Sequence, residues 1–284
     1  MSIKIIVDST VDLKDKLKER VYSYVPLSIR FGDEEYLDGV TIDHKQFYDK
    51  LVNSNVFPTT SQANPESFDR VFASLSKDDQ AIVITLSAKL SGTYQSAMIA
   101  SDNYSNVIVI DSQSVAIGAG ILTEYAFELI DKGYQFEQII ESIKKVREKI
   151  VIVALVDTLE YLKRGGRISK TAAFAGNILN IKPVLAVTNG DINVLGKARG
   201  MKMGGNLLEK EIEKVGGVDY SMPVLLGYTG NDDSMIKKYI EDSERLWKSQ
   251  LGEVNYTVVG CTIGSHGGPG AVAVAFFKNR RNCI

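Results

Sequence analysis

Apolar positions in the first half of the chain fall into short runs rich in β-branched residues. Residues 4–7 (KIIV), 81–86 (AIVITL) and 107–110 (VIVI) read as strands. Each is followed by a polar turn: Asp8-Ser9-Thr10, Ser87-Ala88-Lys89 and Asp111-Ser112. A stretch with helical spacing follows each turn, the clearest running over residues 116–132. Strand, polar turn and helix in repetition predict βαβ units and a largely parallel sheet. Ligands of such sheets sit beyond the carboxyl ends of the strands. The three polar turns are therefore expected along one edge. Residues 135–149 add an amphipathic helix, and residues 150–156 (IVIVALV) read as a buried strand.

Beyond residue 156 the texture changes. Residues 162–169 (LKRGGRIS) are basic and glycine-rich, as at a domain junction. The apolar runs 181–188 and 192–195 flank Asn189-Gly190, which predicts a hairpin. Residues 222–228, 255–259 and 271–277 add further strands. The expected architecture is α/β with two domains. Residues 1–158 form an N-terminal domain with a mainly parallel sheet and flanking helices. Residues 159–284 form a C-terminal mixed α+β domain with antiparallel strands. Any ligand is expected between them.

A chain of 284 residues has room for two domains and a sizeable core. Its 33 basic and 35 acidic residues nearly cancel, which excludes a global attraction to nucleic acid or to an anionic membrane. The longest apolar runs, residues 150–156 and 271–277, are far short of the ~20 residues of a membrane span. Asp8 interrupts the first apolar run before a secretory signal could form. Two isolated cysteines, Cys261 and Cys283, fit a reducing compartment. The expected location is the cytoplasm.

Several chemistries are excluded by spacing. His44 and His266 are the only histidines and lie far from each other and from most metal-ligand spacings, so no metal site is expected. Residues 190–197 (GDINVLGK) fail as a phosphate-binding loop, because five residues separate the glycines and Ala198 replaces the magnesium-binding hydroxyl. Gly118-Ala119-Gly120 is followed by Thr123 where a dinucleotide fingerprint has its third glycine. No nucleophile elbow occurs.

What remains is a set of hydroxyl-rich and basic segments. Thr59-Thr60-Ser61-Gln62 precedes Asn64-Pro65, a helix opening. Ser91-Gly92-Thr93 follows a buried strand and leads into a helix, an arrangement suited to a carboxylate or phosphate, or to an ordinary N-cap. Residues 265–270 (SHGGPG) form a glycine-rich stretch in which His266 can donate to an acid head group, or simply occupy a tight turn. Lys163, Arg164, Arg167 and Lys170 make one basic group, and Lys197, Arg199 and Lys202 another; a solvated face is the ordinary reading of each.

Taken in order, these segments resemble the DegV family of bacterial fatty-acid-binding proteins along the whole chain. The resemblance is carried by Asp8 to Thr10, Thr60 to Gln62, Leu90 to Tyr94, Asp111-Ser112, Gly165 to Ser169, Ile181-Lys182-Pro183 and the late His266 segment. Ala63 after Gln62, and Ala88-Lys89, depart from the usual pattern. The resemblance implies one fatty acid buried between two domains and no cofactor. It implies a carboxylate held by Thr60, Ser91 and His266, with Ser61, Gly92, Thr93 and Gly267 nearby, and Arg167 and Arg199 contacting a partner or phosphate. It further implies a protein without catalytic residues of its own. Such a protein presents its ligand to a separate ATP-binding fatty acid kinase subunit, which forms an acyl phosphate. At about 0.8 kcal/mol per methylene, a palmitate-like tail of about C16 to C18 supplies roughly 11 kcal/mol before ordering costs. Phe174, Ile178 and Leu179, in residues 171–180 (TAAFAGNILN), are the expected tail wall. Two other readings stand beside this one. One is a serine-dependent acyl hydrolase using Ser91 and His266, with Asp111 orienting the histidine. The other is a regulatory module that binds a protein through Arg164 and Arg167.

Overall fold

The computed structural model describes residues 2–168 and 180–279. The chain opens with β1 (Ser2–Asp8), α1 (Asp15–Lys18), β2 (Ser23–Val25), β3 (Ser28–Phe31), β4 (Glu34–Leu37), α2 (His44–Asn53) and β5 (Thr59–Ser61). It continues through α3 (Pro65–Ala73), β6 (Asp79–Thr85), α4 (Thr93–Ser101), β7 (Val107–Asp111), α5 (Ala116–Asp131) and α6 (Phe136–Val146). Then come β8 (Ile150–Leu155), α7 (Glu160–Arg164), β9 (Ile181–Thr188), β10 (Asp191–Arg199) and α8 (Gly200–Lys214). The last elements are β11 (Leu225–Tyr228), α9 (Ser234–Asp242), α10 (Glu244–Leu251), β12 (Tyr256–Val258), α11 (Cys261–Gly267) and β13 (Val272–Phe277).

The predicted α/β architecture is present. β2, β1, β6 and β7 pair in that order, all parallel. The second sheet runs β10-β9-β8-β13-β11-β12 and is antiparallel except for β11 beside β12. The hairpin turn at Asn189-Gly190 has φ of 51° and 81°, the left-handed pair that a two-residue hairpin requires. Local signals account for helix starts. Asp43 and Gln46 form a reciprocal cap on α2, and Asn64 caps α3 ahead of Pro65.

Two features differ from the sequence reading. β8, placed before the junction, hydrogen bonds to β9 and β13, so the second sheet begins at Ile150 rather than after residue 158. An apolar strand buried on both faces carries no local mark of the sheet it will join. A small antiparallel sheet, β4-β3-β5, was also not anticipated. Its strands are too short and too polar to show a period.

The six-stranded sheet buries both faces. Val151, Val153 and Leu155 pack outward against Leu208, Ile212, Ile236 and Trp247 of α8, α9 and α10. Ile152, Val187, Leu225 and Ala275 point the other way, into the core of the parallel sheet. α5 lies between, touching strands of both sheets. It is buried nearly all round, with Ile117, Ile121, Leu122 and Phe127 inside. No helix among the described residues is long and apolar enough to cross a membrane.

Candidate functional site

The inner face of the second sheet holds a row in which three of four residues are small. Backbone pairing places Gly227, Ala273, Ala154 and Leu185 side by side across four strands. Ile152, Val156, Val187 and Ala271 flank this row on the same face. Because alternate residues point to the same side, Ala154 and Ala273 leave a trough, whereas Ile117 and Val259 fill the space over Gly227. Leu86, Val115, Ala116 and Ile117 close it from the parallel sheet and the start of α5. The result is an open-mouthed cavity whose exposed lining is almost wholly apolar.

The polar lining is confined to a few residues: Thr60, Ser61 and Gln62 of the β5 segment, Ser91, Arg167, Thr229, Thr262 and His266. His266 is not in a loop. It sits in the last turn of α11, where Gly267 ends the helix, because residues 261–267 close a helical turn before Gly268 takes φ 71°. β5 brings Thr60 alongside, and His266 Nε2 lies 2.8 Å from Thr60 Oγ1. Gly165 backs the ring so closely that a β-carbon there would overlap His266 Nδ1. Nδ1 is buried and has no partner among the described residues. An orphan N–H is rarer in proteins than an orphan acceptor, which favours the tautomer in which Nε2–H donates to Thr60. That leaves the Thr60 O–H to donate to a ligand.

Ser91 lies at the mouth of the β6–α4 turn. Its Oγ is 3.0 Å from Thr93 Oγ1 and accepts the Thr93 N–H at 3.3 Å. The N-cap of α4 is Gly92, not Ser91. A β-carbon on Gly92 would run into the Gln62 side chain, so this glycine lets β5 approach α4. Gln62 then donates to Ser96 Oγ at 2.9 Å, and Thr93 Oγ1 accepts the Ala63 N–H at 3.3 Å. The Thr60 and Ser91 segments are thus locked together by their neighbours. Arg167 donates from Nε to Leu90 O at 3.2 Å and from Nη1 to Gly165 O at 2.6 Å, placing its charge at the same end of the cavity.

Burial pushes the His266 pKa down to about 4, and the Arg167 charge adds to the shift. Its folded value lies below the ordinary ~6.5, so acid protonates the unfolded chain first. This costs stability as pH falls from about 6.5 towards 4. Asp8 opposes it: burial raises that carboxyl to about 6, so protonation below pH 6 favours the folded state. His266 is expected to remain neutral and Nε2-protonated at pH 6, visible in long-range ¹⁵N–¹H spectra. His266→Gln should gain stability relative to wild type as the solution is acidified through that window. A ring titrating near pH 6.5 would contradict the assignment.

Of the other residues singled out by sequence, Ser61 and Gly267 line the cavity, whereas Thr93 is buried behind it as a bracket. Arg199 is not brought to the cavity; it is exposed at the end of β10, preceding α8. Phe174, Ile178 and Leu179 lie outside the described residues. The aliphatic cavity lining through Ala154 and Ala273 was not singled out from the sequence. A period-two signal was available in residues 271–277 (AVAVAFF), where alanine alternates with valine. The hydrolase arrangement is not assembled. Asp111 Oδ1 accepts the Ala88 and Gln113 N–H groups, and no hydrogen bond joins His266 to Ser91 or Asp111 among the described residues.

The family model described as "Uncharacterised protein, DegV family" matches residues 2–279. The chain belongs to the DegV family. A DegV domain-containing protein from Caldanaerobacter subterraneus subsp. tengcongensis is 35% identical over 96% of this chain and 98% of its own. A solved DegV family protein from Thermus thermophilus, reported for its fatty acid binding, is 32% identical. It superposes with a TM-score of 0.86, covering 98% of this chain and 100% of that one. A stearic-acid-binding protein from Eubacterium ventriosum is 26% identical, with a TM-score of 0.83 over 97% and 98% of the two chains. The two-sheet arrangement that forms the cavity is therefore the DegV fold.

Proposed function

We propose that this DegV chain binds one long-chain fatty acid, with its carboxylate at Thr60, Ser91 and His266 and its tail in the apolar trough between the sheets. The observation that carries this reading is the division of one cavity into a long aliphatic trough and a cluster of hydroxyl and imidazole groups. A carboxylate taken out of water needs donors to replace its hydration. The Thr60 and Ser91 hydroxyls supply them without a buried ion pair, and Arg167 adds a positive charge nearby. The fatty acids bound by the Thermus and Eubacterium proteins point to the same ligand class.

The same reading makes the chain a non-catalytic, cytoplasmic subunit. It offers the carboxylate to an ATP-binding kinase subunit. There a carboxylate oxygen bonds to the terminal phosphorus of ATP, the bond to the bridging oxygen breaks, and acyl phosphate and ADP result. This step follows from the family resemblance together with the gathering of the polar groups at one end of the cavity.

Native mass spectrometry of protein purified from a bacterial host should reveal a retained acid of about C16 to C18. Thr60→Ala combined with Ser91→Ala should weaken palmitate binding about 100-fold, at roughly 1.5 kcal/mol for each hydrogen bond to a charged group. Delipidated protein that binds no long-chain acid would sink the proposal. Unchanged affinity in the double variant would remove these hydroxyls from the head-group role.

A further inference from the structure

α11 carries His266 in its final turn, yet its first turn has no cap of its own. The N-cap residue is Gly260, which has no side chain to accept the N–H groups that every helix start leaves open. Two distant carboxylates take that place. Asp12 Oδ1 accepts the Gly260 N–H at 3.0 Å, and Asp38 Oδ2 accepts the Thr262 N–H at 3.1 Å. Both side chains are buried, Asp12 at 7% exposure and Asp38 at 3%. The point that a β-carbon on Gly260 would occupy is 3.2 Å from Asp12 Oδ1 and 3.9 Å from Asp38 Oδ2. A side chain here would press on Asp12 Oδ1, so the glycine eases the close approach of that carboxylate.

Each carboxylate is itself anchored to the first half of the fold. The Asp12 N–H donates to Ala116 O at 3.3 Å, and the Asp12 carbonyl lies against Gly120 of α5. Asp38 Oδ2 also accepts the Ser9 hydroxyl at 3.2 Å, from the turn after β1. Nearby, the Tyr48 hydroxyl donates to Val259 O at 2.9 Å, fixing the approach to the helix. The start of α11 is therefore tied to the parallel sheet, while its end meets Thr60 of the small sheet. Burial pushes the Asp12 carboxyl well up, which suits a cap that acts as a hydrogen-bond acceptor rather than as a full negative charge.

We propose that Asp12 and Asp38 are positioning residues for the head-group site: by capping α11 from outside, they set where the His266 ring meets Thr60. This rests on the fatty-acid reading above. It assigns no contact with the ligand to either aspartate.

The test uses the full-length protein and two ligands with the same tail, palmitate and hexadecanol. Asp38→Ala removes the acceptor, whereas Asp38→Asn keeps one. Asp38→Ala is expected to weaken palmitate about 10-fold while hexadecanol changes less than about 2-fold, and Asp38→Asn should restore most of the loss. The ¹⁵N signature of the His266 ring in ligand-free protein should change in Asp38→Ala and return in Asp38→Asn. A palmitate-to-hexadecanol ratio equal to that of wild type, with an unchanged ring signature, would overturn the proposal even if the melting temperature fell. If wild type binds neither ligand, the fatty-acid reading fails, and the ring signature still decides whether the aspartates position His266. Should Asp38→Ala not fold, Asp12→Ala, which frees only the Gly260 N–H, is read by the same two measurements.

Discussion

Replacing Ala154 and Ala273 together by leucine is expected to weaken palmitate binding about 100-fold without unfolding the protein. The two alanines face each other across β8 and β13 and form the floor of the trough. Two leucine side chains projecting there take space that the acyl tail requires. Displacing three or four methylenes costs roughly 3 kcal/mol at about 0.8 kcal/mol each, which is about a 100-fold change in affinity. In a filled core such enlargement would be destabilising. Here the new atoms enter an existing void, so the melting temperature of ligand-free protein should hold or rise. Titration with a series of acids should show the optimum chain length moving to shorter acids. Unchanged affinity for C16 acids would place the tail elsewhere.

Gly120→Ala is expected to be the most damaging single-methyl change in the helices. In an ordinary exposed helix this substitution gains about 1 kcal/mol from propensity. At residue 120 the added β-carbon would overlap the carbonyl oxygen of Asp12, a backbone atom that has no rotamer to escape into. α5 is packed between both sheets and has little freedom to withdraw. The steric term should win, for a net loss of about 3 kcal/mol, the upper end of overpacking costs. In a chain of this size that corresponds to a drop of roughly 6–12 °C in melting temperature. Denaturant unfolding with an unchanged midpoint would show that α5 shifts at little cost. Because the clash falls on Asp12, the His266 ring should report it as well.

Much of the fold was legible because its strands are continuous apolar runs and its turns carry explicit signals. The three polar turns after β1, β6 and β7 follow from the βαβ rhythm, and Asn189-Gly190 announced its hairpin. The polar residues of the cavity were harder. Thr60, Ser91 and His266 each have a bland local reading, and only their ordered likeness to a known family joined them. The helical state of residues 261–267 was hidden by glycines at 260, 264 and 267, which lower helix propensity. Tertiary packing overrides that cost: Gly264 sits so close to Phe47 and Tyr48 that a side chain there would not fit.

By itself, the sequence determined the fold class, the βαβ rhythm of the first half, the hairpin at Asn189-Gly190 and the residue types available for chemistry, because periodicity and turn chemistry are local properties. It also ruled out phosphate-loop and dinucleotide signatures, which depend on spacing alone. Only the tertiary structure decided that β8 belongs to the second sheet, that Ala273 and Ala154 stand side by side in one trough, and that Asp12 and Asp38 cap a helix more than 200 residues away. Those are facts of register and long-range contact. A strand's alternation says which residues share a face, but only its pairing says which residues stand beside them, and it is that second relation that builds the cavity.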